Sequence, residues 1–394
     1  MAPAIPASAW AAGFQLLEQN VSSLGNAYAG TAASAEDAST IFYNPAGMTR
    51  LKGGNLVMAI NAIKPSVEFQ NQSSNRALGF NTGGDAGSWA FLPTLYYSQA
   101  LNADWNVGLA LNSPFGLKTQ YDQGWIGRLQ GIDSSLKTIA ITPSVAYRIS
   151  EMVSAGVGVT AQYADAQLTS AFGLAGPVAK ATGNDWGFGW NVGLLVQPVP
   201  SFRFGIDYRS SVSMTLEGPF TIPGRIATQD RAGLKTPATA TLSAVAELSP
   251  QWELLADVAW TQWSSFKSLT VTNAATGGVL AETIENWRDA WRFAGGANYK
   301  HSEQWKFRAG IAYDETPVSD VYRTVRIPDN NRTWLALGVQ YHLSPQTAID
   351  LGYAHVFFRS GSINQVFPPR SGLNVTGFFK DAVDIVGLQY THSF

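Results

Sequence analysis

The sequence predicts an all-β protein, a fourteen-stranded antiparallel transmembrane β-barrel with a small N-terminal helical hatch, or plug, and three observations carry the prediction. Charged residues make up only 14% of the 394-residue chain while aromatics reach 12%, against roughly 25% charged in an average soluble protein. No window holds the roughly 18 consecutive apolar residues of a spanning helix, and mean hydropathy is near zero. A closed barrel is the remaining way to cross a bilayer, and its alternating strands leave hydropathy near zero. Third, from Gly54 to Phe394 one unit recurs: an alternating run, a short turn, a second run and a long polar loop, fourteen runs in all.

Composition excludes other classes. The 45% hydrophobic content argues against disorder, and the absence of Cys excludes a disulfide scaffold. A net charge of −2 supplies no basic field, so nucleic acid is not an expected partner.

Ala9-Trp10-Ala11 reads as a signal-peptidase site, so residues 1–11 are taken as a signal remnant and the mature chain is expected to start at Ala12. Residues 12–53 do not alternate. Ser34 followed by Glu36 and Asp37 predicts the start of a short helix that Asn44-Pro45 ends. Phe14, Leu16, Leu17, Ile41, Phe42 and Tyr43 need burial, which favours a plug in the lumen over a free tail.

Residues 54–394 form the barrel. Tight connections fall at Leu101 to Asp104, Ser150-Glu151, Pro198 to Ser201, Ser249-Pro250, His301 to Glu303 and Ser344-Pro345. Long loops are expected near 71–87, 116–135, 169–184, 217–236, 271–283, 316–330 and 360–377. Successive side chains point to opposite faces of a strand. One parity is greasy, as in Trp105, Val107, Leu109 and Leu111, or Trp186, Phe188, Trp190, Val192 and Leu194. The other carries Asn106, Asn112, Asn191, Glu253, Asp257, Gln340 and His342, as an aqueous or ligand-lined interior would. Trp105, Trp252, Tyr299 and Trp305 stand beside short turns, where an interfacial girdle belongs. The chain ends on Tyr390, His392 and Phe394 in one parity, a terminus of the kind that outer-membrane assembly reads.

These residues resemble the FadL family of outer-membrane channels for long-chain fatty acids, which includes TodX-type aromatic hydrocarbon channels. The resemblance rests on Ala12-Gly13-Phe14-Gln15-Leu16, Leu24 to Gly30, Asn44-Pro45-Ala46, Trp186 to Asn191, Tyr208-Arg209-Ser210, Trp287 to Arg292 and Ile327-Pro328-Asp329. It implies a hatch that carries Phe14 and the Asn44-Pro45-Ala46 signature. It also implies an inward kink in the third strand that opens the wall sideways, here at Ser113, Pro114, Phe115 and Gly116. Pro114, which cannot donate to a ladder, supplies a local reason, although a strand ending at a loop would read the same. The family's outer groove would be lined here by Phe172, Leu174, Val178, Phe220 and Ile222.

A fatty acid needs an apolar slot and a cation at its mouth. Arg288 and Arg292 share the inward parity, and by similarity Arg288 stands where the family places a basic residue near the head group. A salt-bridge network with Asp257, Glu253 or Asp314 is the competing reading. Asp165 occupies the place of a second basic residue, which weakens the case for a carboxylate ligand. No catalytic signature occurs, and the four His are scattered, so no enzyme, cofactor or metal is expected. The expected partners are a hydrophobic ligand and outer-membrane lipid, with the protein acting as a monomer. An aromatic or alkane hydrocarbon channel and a polar-solute porin are the alternatives.

Overall fold

A computed structural model of the chain describes residues 13–394; the cleavage site expected at Ala9-Trp10-Ala11 and the expected mature start at Ala12 lie outside the described residues. Fourteen strands run antiparallel: Gly54–Asn71, Ala90–Ala100, Trp105–Asn112, Asp133–Arg148, Val153–Ala171, Val178–Val199, Phe202–Arg209, Thr239–Glu247, Trp252–Thr261, Ala290–Lys300, Trp305–Asp314, Arg332–Ser344, Thr347–Phe358 and Asn374–Ser393. Six of them are interrupted once and continue in a second segment: the third in Gly116–Gln120, the thirteenth in Gly361–Val366, and the seventh to tenth in Val212–Ile222, Ile226–Thr236, Ser268–Asn273 and Val279–Ile284. The last strand pairs with the first from Asn55↔Ser393 to Asn71↔Gly377, so the sheet closes on itself.

The parity reading holds. Leu109, Phe188, Leu254, Leu337 and Leu388 point outward and are exposed, while Asn106, Asn191, Asp257 and Gln340 point inward and are buried. A one-residue slip would invert this pattern along a whole strand, and that sets the register. At the short-turn end Trp105 meets Tyr147, Trp252 meets Tyr299 and Trp305 meets Tyr341, with ring centroids 4.6, 4.7 and 4.6 Å apart.

Four of the expected long loops are corrected. Around 169–184, 217–236, 271–283 and 360–377 the chain stays in strand and turns over only a few residues. In Val212–Ile222 the alternation persists, with Val212, Met214 and Leu216 buried between exposed Ser213, Thr215 and Glu217, whereas Val279–Ile284 has no buried face. The ladder nevertheless continues, because it satisfies the backbone.

The helix expected from Ser34 is also corrected. Thr31–Ser34 and Thr40–Tyr43 are separate four-residue helices, and Ala35, at φ 48°, ends the first. Asp37 accepts from the Ser39 backbone N–H at 2.9 Å, while Glu36 turns away to pair with Lys306 and Arg308 at 2.6 and 2.8 Å. Asn44 does end the second helix, its N–H reaching the Thr40 carbonyl at 2.7 Å.

Candidate functional site

Residues 13–53 lie against the inward faces of the barrel. Asn61 donates to the Glu18 carbonyl at 2.8 Å and Tyr96 to that of Gln19 at 2.8 Å. Gln389 accepts from the Val21 N–H at 2.8 Å, and Asn26 donates to the Ala297 carbonyl at 3.1 Å. Asn44 is the hub. Fully buried, it donates to the carbonyls of Ala32 at 2.6 Å and Leu194 at 2.9 Å, and accepts from the Ala46 N–H at 3.0 Å. Pro45 opens the 3-10 turn Pro45–Arg50, where its missing N–H costs nothing. Close approach requires glycine on the wall: a Cβ at Gly193 would stand 1.9 Å from Asn44 Oδ1, and one at Gly310 would stand 2.1 Å from the Asn26 carbonyl carbon. Glu18 is wholly enclosed. Burial pushes its carboxyl up to about 7, against the pull of nearby backbone N–H groups, Arg332 and Arg292.

The third strand breaks at residues 113–115. Asn112 pairs with Ala140 and Gly116 with Lys137, so Ser113, Pro114 and Phe115 stand opposite only Thr138 and Ile139. One extra residue bends a strand as a bulge does. The bend goes inward: Phe115 bridges Gln15, the Leu16 N–H reaches the Pro114 carbonyl and the Gly116 N–H reaches the Phe14 carbonyl, both at 2.9 Å. Thr138 Oγ1 accepts from the Phe115 N–H at 3.0 Å and holds the bend to the fourth strand. On the other side, the second strand pairs with the third only from Leu95↔Leu111 to Ala100↔Asn106. Among the described residues its Ala90–Thr94 stretch therefore has ladder partners on the first strand alone.

Phe14 sits at the centre of an aromatic cluster. Its ring centroid lies 4.6 Å from Trp263, 5.6 Å from Phe266, 5.9 Å from Trp287 and 6.0 Å from Phe115. Trp263 and Phe266 come from the interruption of the ninth strand and Trp287 from that of the tenth, so both breaks send aromatics inward. Residues 315–331 then fold across the lumen. Tyr121 donates to the Val325 carbonyl at 2.8 Å, and Gln130 accepts from the Val325 N–H at 2.8 Å. Arg332 pairs with Asp314 at 2.9 Å and Asp329 at 3.0 Å. Asp329 also accepts from the Gly13 N–H at 3.2 Å, which joins this loop to the N-terminal segment.

The expected head-group residues separate. Arg292 does face inward; it donates to the Ala27 carbonyl and lies over Trp334, 5.8 Å from the ring centroid. Arg288 is corrected: the break before Ala290 resets the alternation, Trp287 takes the buried position, and Arg288 is exposed, with Nε 3.4 Å from the Thr316 carbonyl. Asp165 is likewise exposed on the outward parity. Of the groove residues, Phe220 and Ile222 are buried with Val271 inside the tall hairpins. Val178 is half-buried at the start of the sixth strand, whereas Phe172 and Leu174 are exposed at the adjacent tip. Gly116, which the sequence placed beside a loop, is buried against Leu16.

Below this level, a cavity of about 70 Å³ separates the N-terminal segment from the seventh to tenth strands. Tyr28, Tyr43 and Leu17 line it together with Arg209, Arg292 and the carboxylates of Asp207, Asp257 and Asp314. Sequence reasoning missed Trp263, Arg326 and the inward path of residues 315–331. The Ile327-Pro328-Asp329 motif was the available signal, since an apolar-Pro-acid triplet inside a polar loop needs a buried destination.

Residues 3–394 match the family model described as outer membrane protein transport protein (OMPP1/FadL/TodX). A long-chain fatty acid transport protein of Salmonella typhi is 31% identical over 92% of this chain and 91% of its own. Outer membrane protein P1 of Haemophilus influenzae is 31% identical over 88% of this chain and 86% of its own. The crystal structure of a Pseudomonas aeruginosa FadL homologue superposes with a TM-score of 0.91 at 25% identity, over 97% of this chain and all of that one. With its closed fourteen-stranded wall and a family match along nearly its whole length, the chain belongs to the OMPP1/FadL/TodX family of outer-membrane transport proteins.

Proposed function

We propose that the protein is a passive channel that takes long-chain fatty acids and similar hydrophobic molecules from outside the cell and releases them sideways into the membrane. The observation that carries this reading is the inward break at residues 113–115 opposite the Ala90–Thr94 stretch, which has no ladder partner on that side. A ligand settles first among the outer hairpins, where Phe172 and Leu174 are exposed above the buried Phe220 and Ile222. Arg288, exposed beside Thr316, offers a cation to an arriving carboxylate. Residues 13–53 act as the hatch that bars straight passage, and Arg292 holds that hatch through Ala27. No covalent step or energy source enters this scheme, and a monomer suffices for it.

The names of relatives support the fatty-acid reading, since several are long-chain fatty acid transport proteins. A second reading, an aromatic hydrocarbon channel, is favoured by the ring cluster around Phe14, whose rings offer edge and face contacts to an aromatic guest. Uptake of labelled oleate, hexadecane and toluene by cells that lack their own channel and express this chain separates the two. No uptake of any of them, with large steady ion currents in planar bilayers, would turn the assignment to a polar-solute porin.

A further inference from the structure

The cations enclosed by this barrel are not equivalent. Arg332 and Arg308 each hold two carboxylates, Asp314 and Asp329 for the first and Glu36 and Asp350 for the second. Arg292 borders a cavity that already contains three carboxylates. Arg326, on the loop that crosses the lumen, shares with Arg292 the lack of an ion pair among the described residues, but the cavity it borders has no carboxylate in its lining. It is only 8% exposed, yet among the described residues no carboxylate lies within ion-pairing distance of it. Its hydrogen bonds all go to neutral oxygens: Ser134 Oγ at 2.8 Å, the Thr169 carbonyl at 3.1 Å and the Asp133 carbonyl at 3.4 Å. A guanidinium carries five N–H donors, so two remain for something else. A buried charge without a direct ion pair and with unspent donors is costly unless a counter-charge arrives.

Arg326 borders a cavity of about 40 Å³ beneath the tall hairpins, whose other walls include Leu168, Ala179, Ala181, Phe220 and Val271. One water-sized group needs roughly 10 to 15 Å³ on this measure, so the space suits a three-atom head group and not a whole chain. No acidic side chain lines it. Burial pushes the guanidinium down to about 10, with Glu285 and Asp133 pulling the other way, so it stays charged at neutral pH.

We propose that Arg326 is the carboxylate-recognising residue of this channel, receiving the head group of a long-chain fatty acid in this cavity while the tail extends out of it among the outer hairpins. This rests on the fatty-acid reading above and sharpens it. The planar fork accepts a carboxylate through two parallel bonds, whereas a neutral alkane finds nothing there to neutralise. Phe220, one of the groove residues, forms a wall of this site, so a molecule held among the outer hairpins has the site beside it.

The test is equilibrium binding of dodecanoate and of dodecanol to the purified full chain in a non-ionic detergent, with the parent, Arg326→Gln and Arg288→Ala. Arg326→Gln should weaken dodecanoate at least tenfold and change dodecanol less than threefold, while Arg288→Ala should move dodecanoate less than Arg326→Gln does. Equal losses for both ligands, or unchanged dodecanoate binding in Arg326→Gln, overturn the proposal. Should Arg326→Gln fail to fold, a crystal structure of the parent with decanoate decides: a carboxylate within 3.5 Å of Arg326 supports it, and one seated on Arg288 or Arg292 refutes it. If the parent binds neither ligand, the hydrophobic-channel reading itself fails, which is a different result from a parent that binds dodecanol alone.

Discussion

Replacing Asn44 with Ala tests how the N-terminal segment is held. The side chain is fully buried and makes three hydrogen bonds, two to carbonyls at 2.6 and 2.9 Å and one from the Ala46 N–H at 3.0 Å. Truncation strands three backbone groups away from water, each costing about 1 to 3 kcal/mol, and the cap alone is worth about 0.5 to 2. Because the losses overlap, we expect about 3 to 6 kcal/mol against the packing of residues 13–53, while the barrel keeps its own ladder. Hydrogen exchange of the folded protein should show amides of residues 24–47 losing protection by at least a hundredfold, with the strands unchanged. Single-channel recordings should show new open events. Unchanged protection and a closed channel in Asn44→Ala would refute the claim that Asn44 is the hub.

Ser113→Arg places a long charged side chain at the half-buried edge of the third-strand break and should abolish oleate uptake, while the unboiled sample still runs as a folded band on a gel. Gly116→Arg is the poorer choice, since a Cβ there meets Leu16 at 3.0 Å. Arg332→Met leaves Asp314 and Asp329 buried without their cation and should cost about 3 to 5 kcal/mol, read as a lower unfolding midpoint that Asp314→Asn in the same chain partly restores. Glu18 sets a pH dependence. Its carboxyl is raised from an ordinary 4.5 to about 7, so the folded protein holds a proton that the unfolded chain loses. The penalty is absent below about pH 4.5, grows as pH rises, and is complete above 7 at about 3 kcal/mol. Glu18→Gln should therefore stabilise the packed segment at pH 8 and hardly at pH 4.5, and parallel pH profiles for parent and variant would contradict this.

Much of the barrel was legible before any coordinates because a membrane strand obeys a two-residue rule. Lipid on one side and a packed lumen on the other force Trp186, Phe188 and Trp190 to alternate with Gly187, Gly189 and Asn191, and that pattern survives without knowledge of any neighbour. The short turns and the Asn-Pro-Ala signature were legible for a similar reason, since each acts within a few residues of itself. The rule fails where its cause fails. In Val279–Ile284 the chain remains strand without a buried face, and at the breaks in the third and tenth strands the parity count restarts, which leaves Trp287 buried and Arg288 exposed.

The partners of long-range polar groups could not be read from the chain. Asp329 meets Gly13 across 316 positions and Asn44 meets Leu194 across 150, and neither local propensity nor periodicity encodes such distances. The cluster that joins Phe14 to Trp263, Phe266 and Trp287 exists only because two separate interruptions open toward the same point in the lumen. Which surface of a strand meets lipid is thus a local property of the residues, set by solvent on each side. Which buried charge is paired and which is left open is decided by closure of the barrel, because only closure brings the fourth and fifth strands, the crossing loop and the N-terminal segment into one enclosed space.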